Sequence, residues 1–163
     1  MSQIKVIYGS TTGATEAAAK EIAEKLGATL LNVADASPSD FDADLLVLGS
    51  STWGIGDLQD DWATAIDLLN ALDFSGKKAA VFGMGDQFGF GDSYVDAMGI
   101  LAETLKERGA ELVGATSAEG YSHSASRAEQ DGIFCGLALD DTNESEKTSD
   151  RIDKWVEELK NSL

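Results

Sequence analysis

Residues 9–15, Gly-Ser-Thr-Thr-Gly-Ala-Thr, set four hydroxyls between an apolar run and the start of a helical pattern. Small polar side chains at a strand-to-helix turn, backed by the N–H groups of a helix N-terminus, form a cradle for an anion. This cradle carries no cation. No lysine follows a glycine at the spacing of a nucleoside-triphosphate loop, so no group is placed to stabilise a leaving γ-phosphate. The Gly-x-Gly-x-x-Gly turn that lets a backbone approach a pyrophosphate is also missing. A monophosphate suits these residues; a polar turn whose hydroxyls merely cap the helix is the other reading.

Two further segments carry an aromatic among small residues. In Ser50-Ser51-Thr52-Trp53-Gly54-Ile55-Gly56-Asp57 the indole either covers a flat ligand or folds back onto the core. The glycine-rich stretch Gly83-Met84-Gly85-Asp86-Gln87-Phe88-Gly89-Phe90-Gly91-Asp92 presents Phe90 in the same manner. Two aromatics flanking an anion cradle suit a planar ring held between them, with stacking contributing about 0.5–1.5 kcal/mol per aromatic pair beyond burial.

Other chemistries lack their residues. Cys135 and His123 stand alone in their kinds, which excludes an internal disulfide and a Cys/His zinc site. His123 lies in a polar stretch without a neighbouring carboxylate in sequence and is read as a solvated loop residue; Cys135, in an apolar strand, is read as an inert core thiol. Trp62 and Trp155 recur on helical core faces and are assigned to packing. The acidic run 140–144 lacks the mid-loop glycine and regular ligand spacing of a calcium loop, so no metal is expected.

The elements that must position these loops alternate regularly. Ile4–Tyr8 is a first strand, and the helix after it repeats Ala18, Ile22 and Leu26 up to a Gly27 cap. Strands follow at Thr29–Val33 and Asp44–Gly49, the latter nearly continuous in apolar residues, as a parallel strand buried on both faces requires. A helix over about 60–72 aligns Trp62, Ile66 and Leu69; a fourth strand spans 78–84; a helix over about 93–108 aligns Val95, Met98, Ala102 and Leu105. A fifth strand starts near Glu111, fails for about twenty residues and resumes at Ile133–Leu139, which places an insertion inside it. The last helix is expected from an N-cap at Thr148 or Ser149, burying Ile152, Trp155, Val156 and Leu159. Such alternation implies a parallel sheet with helices on both faces, and ligands then bind outside the carboxyl ends of the strands. The segments to watch are therefore 9–15, 50–61, 84–96 and 139–146.

At 163 residues the chain fits a single domain, 1–163. Its charge is one-sided: 29 acidic against 12 basic residues give a net charge of −17. Such a polyanion is repelled by nucleic acid and anionic lipid and attracted to basic protein surfaces. Asp57, Asp60, Asp61, Asp86, Asp92, Asp96, Asp140, Asp141, Glu144 and Glu146 fall in the four segments, and no lysine or arginine does. With 43% apolar residues the chain supports a core, and no apolar run approaches the ~18 residues of a membrane span. A soluble, cytoplasmic protein is expected.

Ser-x-Thr-Gly-x-Thr-Glu at 10–16, Ser-Thr-Trp-Gly-Ile-Gly-Asp-Leu-Gln-Asp-Asp-Trp at 51–62 and Gly-Met-Gly-Asp-Gln at 83–87 resemble the three FMN loops of the flavodoxins. The similarity continues through Asp-Gly-Ile-Phe-Cys-Gly-Leu-Ala-Leu-Asp at 131–140, and the split fifth strand resembles the long-chain subgroup. The resemblance implies a flavodoxin-like three-layer α/β sandwich, its five parallel strands ordered 2-1-3-4-5 with the insertion in the fifth. It implies one non-covalent FMN, with phosphate on Ser10, Thr11, Thr12, Gly13, Ala14 and Thr15 and the ring between Trp53 and Phe90. Ser51, Thr52, Gly54, Ile55, Gly56, Met84, Gly85, Asp86, Gln87, Ser93, Tyr94 and Asp96 complete the implied site. In the family the peptide after the Gly54 position can flip to accept a hydrogen bond from the reduced flavin, a flip that glycine favours. Phe90 replaces the family's usual Tyr, which keeps stacking and loses a hydroxyl, and Asp140-Asp141-Thr142-Asn143 departs from the common Asp-x-Asp-Asn.

The implied function is a low-potential, one-electron carrier, a monomer that cycles FMN between semiquinone and hydroquinone and serves basic-surfaced redox proteins. An FMN-dependent quinone or flavin reductase on the same fold is the alternative. A phospho-receiver module is disfavoured because the first and third strands end in Gly9-Ser10 and Gly49-Ser50, with no acceptor Asp.

Overall fold

Near-continuous apolar runs at 4–8, 44–49 and 78–84 can be buried only if both faces of their sheet are covered. The computed structural model describes residues 3–9, 13–53 and 57–162, and for Trp53, Asp57 and Leu58 the backbone alone. The three runs form β1 (Ile4–Gly9), β3 (Leu45–Trp53) and β5 (Lys78–Met84), parallel neighbours in the centre of one sheet. β2 (Thr29–Asn32) pairs with β1 at one edge. A short β4 (Asp57–Leu58) folds back antiparallel on the end of β3.

The fifth position is indeed split. β6 (Glu111–Leu112) pairs with Lys78 and Ala79 of β5, and β10 (Leu137–Leu139) pairs with Phe82 to Met84 further along the same strand. Between them the chain builds a separate antiparallel sheet, β7 (Thr116–Ser117), β9 (Ile133–Phe134) and β8 (Glu129–Gln130). With the antiparallel β4 set aside and β6 and β10 counted as one interrupted strand, the parallel strands run β2-β1-β3-β5-β6/β10, which is the order 2-1-3-4-5 implied by the resemblance.

Helices α1 (Ala14–Leu26) and α4 (Asp141–Asn161) cover one face and α2 (Asp60–Asn70) and α3 (Asp96–Glu107) the other. Alternate strand residues sort accordingly: Val6, Val47, Ala80 and Phe82 pack with Ile22, Ile152 and Trp155, while Ile7, Leu48 and Val81 pack with Trp62, Leu69 and Leu101. Trp62 and Trp155 are fully buried, as assigned, and each donates its indole N–H to a backbone carbonyl, Gly49 at 2.6 Å and Gly114 at 2.7 Å. Gly27 closes α1 in a left-handed conformation, φ 66°, its N–H reaching the carbonyls of Ala23 and Glu24.

Several boundaries differ from the expected ones. β3 runs on to Trp53 instead of ending at Gly49, and the fifth strand resumes at Leu137 instead of Ile133, because Ile133 and Phe134 pair with β7 and β8. α3 begins at Asp96 rather than Ser93, because turns Ser93 N–H to Phe90 O and Asp96 N–H to Ser93 O occupy its first expected residues. Val95 is therefore not part of the helical stripe. It is a buried N-cap at φ 48°, an unfavourable conformation for a β-branched residue, wedged beside Gly83 and Gly85. α4 begins at Asp141, seven residues before Thr148, because the Asp140 carboxylate caps Asn143 N–H at 3.0 Å. A break at Glu144, φ −136° and ψ 42°, kinks it there, and Thr148 bonds back to the Asp141 carboxylate instead of capping a new helix. Strand β2 stops at Asn32, whose side chain accepts Ala34 N–H and opens a 3₁₀ turn.

Candidate functional site

Parallel pairing sets the carboxyl ends of the strands side by side. Gly9 is in register with Ser50, Ser50 with Gly83, and Gly83 with Ala138. At roughly 4.8 Å per strand this row is about 15 Å wide, and the watched segments leave the sheet close to it. Strand order reverses between β1 and β3, the switch point at which doubly wound sheets bind ligands.

On the β1 side, Gly13 starts α1 at φ 93°, a backbone only glycine adopts cheaply. The first intrahelical bond is Ala17 N–H to Gly13 O, so the N–H groups of Ala14, Thr15 and Glu16 face the end of the sheet without an intrahelical acceptor. Thr15 is buried, and Ala14 is half-buried. Ser10, Thr11 and Thr12 lie outside the described residues. Gly9 is held without a side chain because Gln59 and Trp62 fill the space a Cβ would take, the Trp62 Cδ1 only 2.7 Å from it.

On β3, Ser50 is buried between its bond to Ser51 O at 2.8 Å and the Gln59 N–H it accepts at 3.3 Å. Ser51 Oγ is buried and has no hydrogen-bond partner among the described residues, an orphaned hydroxyl at the carboxyl end of the central strand. Thr52 Oγ1 accepts Ala97 N–H at 3.0 Å and so serves the start of α3. Gly54, Ile55 and Gly56 lie outside the described residues, as does the Trp53 side chain.

The third segment is the most clearly built. Asp86 folds back over its own turn, Oδ1 accepting Phe88 N–H at 3.0 Å and Gly89 N–H at 2.7 Å. The Gly89 bond, with a second from Asn143, holds its carboxyl below the usual carboxylate range. This turn thrusts two aromatics into solvent, Phe88 at 64% and Phe90 at 52% exposure. Phe88 has a signal in the sequence too, as a second aromatic in the same glycine-rich turn.

The side chains of Gln87 and Tyr94 turn inward, and two expectations, for His123 and Cys135, need correction. Gln87 is buried and bonded to Asp140, Glu144 and Ser122 N–H, while Tyr94 is buried with its hydroxyl on Leu139 O at 3.1 Å and its ring against Tyr121, His123 and Phe134. Burial pushes the Tyr94 phenol up. His123 is not a solvated residue: its side chain is 6% exposed, pairs with the Glu129 carboxylate six residues on and packs in that aromatic cluster. Cys135 is half-buried rather than fully enclosed, and desolvation still pushes its thiol up to about 11, which keeps it protonated.

Of the remaining site residues, Met84, Gly85 and Ser93 line the end of β5 and its turn, Met84 accepting Asp141 N–H on sulfur at 3.4 Å. Asp96 accepts Arg127 N–H at 2.6 Å. The acidic excess is also thinner than the sequence count. Asp140 is fully buried under four donors, and Glu144 pairs with Lys147 and Arg151 at 2.7 and 2.9 Å, while Asp60, Asp92 and Glu146 remain exposed. Among the described residues no cluster of His, Cys, Asp or Glu is arranged to hold a metal ion, and no helix is long and apolar enough to cross a membrane.

Fold and site together define a doubly wound α/β protein with its candidate crevice at the β1/β3 switch point. The family model of the flavodoxins matches residues 6–155. A flavodoxin of Trichodesmium erythraeum is 45% identical, covering 98% of this chain and 97% of its own, and flavodoxin 2 of Escherichia coli is 39% identical, covering 97% and 95%. The structure of Fusobacterium nucleatum flavodoxin bound to flavin mononucleotide superposes with a TM-score of 0.95 at 30% identity, over 100% of this chain and 99% of that one. The chain belongs to the flavodoxin family.

Proposed function

We propose that this chain, acting as one domain over residues 1–163, is a monomeric cytoplasmic carrier that binds one FMN non-covalently and cycles it between semiquinone and hydroquinone at low potential. The observation that carries this reading is the row Gly9, Ser50, Gly83 and Ala138, from which the first turn of α1 and the exposed Phe90 leave at the same end of the sheet. The residues fit the cofactor: N–H groups of the α1 first turn suit its phosphate, Phe90 offers a ring face to its isoalloxazine, and the orphaned Ser51 hydroxyl awaits a polar partner. When bound, FMN supplies the capacity to take up and release single electrons.

The protein's own part is positional and electrostatic. Asp86 fixes the turn that carries Phe90, and its carboxyl stays ionised through the bonds it accepts. Exposed Asp60, Asp92 and Glu146 leave the end of the sheet negative and favour encounter with basic-surfaced redox proteins.

The visible spectrum of purified protein, followed by a potentiometric titration, tests this. A yellow protein with two separated one-electron steps supports the carrier. A preparation that is colourless and does not take up added FMN overturns the whole reading. Rapid two-electron turnover with NAD(P)H and a quinone would mark an FMN reductase instead. Transfer rates to a basic partner that do not fall as ionic strength rises would remove the steering role.

A further inference from the structure

Every polar atom of the Gln87 side chain is committed to a different part of the chain. Its Nε2 donates to Asp140 Oδ2 at 3.0 Å and to Glu144 Oε1 at 2.7 Å, and its Oε1 accepts Ser122 N–H at 2.6 Å. Its backbone N–H adds a second bond to Asp140 Oδ2 at 3.1 Å. One buried residue, next in sequence to the exposed Phe88, thus joins the aromatic turn to the start of α4 and to the insertion in the fifth strand.

Further bonds run in parallel. Asn143 Nδ2 bridges Asp86 and Asp140 at 2.7 and 2.9 Å, and Ser124 and Ala125 N–H both reach Gly91 O, at 2.8 and 3.0 Å. The turn over 86–91 is therefore tied at its start by α4 and at its end by the insertion, and only Gln87 is bonded to both. The kink of α4 at Glu144 places that carboxylate between Gln87, Lys147 and Arg151, and Arg151 in turn lies 4.4 Å over the Tyr121 ring of the insertion.

We propose that Gln87 is a positioning residue: it clamps the Phe90 turn between α4 and the insertion, and through that turn it sets how tightly FMN is held. The inference rests on the FMN reading above, and it gives the insertion a role, that of a brace behind the ring-covering turn. A clamp of this kind transmits in both directions, so ordering the turn with a ligand orders the brace.

The test uses amide hydrogen exchange on apo and FMN-loaded protein together with FMN titration. In the unmodified protein, FMN raises protection not only at 88–91 but also at Ser122 and Ser124. Gln87→Glu keeps the acceptor for Ser122 and turns the donor into a third carboxylate facing Asp140 and Glu144. It speeds exchange at 88–91 in the apo protein, alters the visible circular dichroism of bound FMN and weakens FMN binding by about tenfold, the scale of one lost charge-assisted hydrogen bond. Binding within twofold of the unmodified protein, with an unchanged spectrum, overturns the clamp. If Gln87→Glu fails to fold, exchange on the unmodified protein decides: no gain of protection at Ser122 on FMN binding refutes the proposal. An unmodified protein that binds no FMN refutes the earlier reading, while apo exchange at 88–91 still tests the clamp.

Discussion

Gly99 sits inside α3, where glycine costs a helix about 1 kcal/mol relative to alanine. On propensity alone Gly99→Ala stabilises the protein. The structure reverses the sign. A Cβ at this position would lie 2.9 Å from each of three atoms, Arg127 C, Arg127 O and Ala128 N, against the roughly 3.5–4.0 Å of an ordinary contact. All three belong to the insertion's backbone, and none is the end of a flexible side chain. Arg127 is further held by its N–H on Asp96 Oδ1 at 2.6 Å and its guanidinium on Glu103 at 2.7 Å. Relief requires the insertion to retreat from α3 by about 0.6–1 Å, which belongs at the upper end of the ~1–3 kcal/mol cost of overpacking. The expected net effect is a loss of about 2 kcal/mol, or about 4–8 °C in melting temperature for a domain of this size. Urea unfolding followed by far-ultraviolet circular dichroism, at constant m, measures it, and exchange at Arg127 and Ala128 locates it. A neutral or stabilised Gly99→Ala refutes the close packing of the insertion on the helix.

Asp140→Ala leaves the four donors that converge on its carboxylate without an acceptor and removes the cap of α4, so unfolding should lose about 3 kcal/mol or more; a loss under about 1 kcal/mol would show that the buried cluster re-pairs. Phe90→Ala should weaken FMN binding by about tenfold and Phe88→Ala by less than about threefold, and titration of apoprotein showing the reverse order would make Phe88 the ring partner. Glu144 is held at about 2 from its usual 4.5 by Lys147 first, then Arg151 and Gln87. A depressed folded-state pKa contributes stability that is present above pH ~4.5 and lost as pH falls toward 2, so the stability gap between wild type and Glu144→Gln should close over that interval. Tyr8, pushed up to about 12 by burial and by its 2.7 Å bond to Glu16, works in the opposite direction: its contribution is complete below pH 10 and lost as pH rises toward 12. Tyr8→Phe should flatten the alkaline limb of the unfolding titration.

The fold was legible wherever burial on two faces imposes an unbroken apolar run. Lys78–Met84 needed no adjustment, and the interruption of the fifth strand followed the loss and return of apolar residues, although Ile133 and Phe134, apolar enough to read as its restart, join the insertion's own sheet and the strand resumes at Leu137. What pattern reading missed was polar. The start of α4 is fixed by one buried carboxylate, Asp140, in a stretch whose acidity looks like solvated surface. Val95 has the right spacing for the α3 stripe, yet the turn before it forces a left-handed backbone. Within the site, the Asp86-Gln87 pair was visible as a motif. That Asp86 serves its own turn while Gln87 faces inward depends on Ser122, Asp140 and Glu144, which are 35 to 57 residues away in sequence and leave no local signal.

The interrupted fifth strand also bears on self-association. An outer strand normally presents a row of unpaired carbonyls and N–H groups on which another chain's strand can seat itself. Here the outermost segments are two and three residues long, too short to template such an addition. Two carbonyls at the second of these segments are closed by side chains: Thr116 Oγ1 donates to Gly136 O at 2.6 Å and Tyr121 Oη to Ala138 O at 2.7 Å. Hydroxyls carried by the insertion thus occupy places beside β10 that a neighbouring strand would otherwise contest.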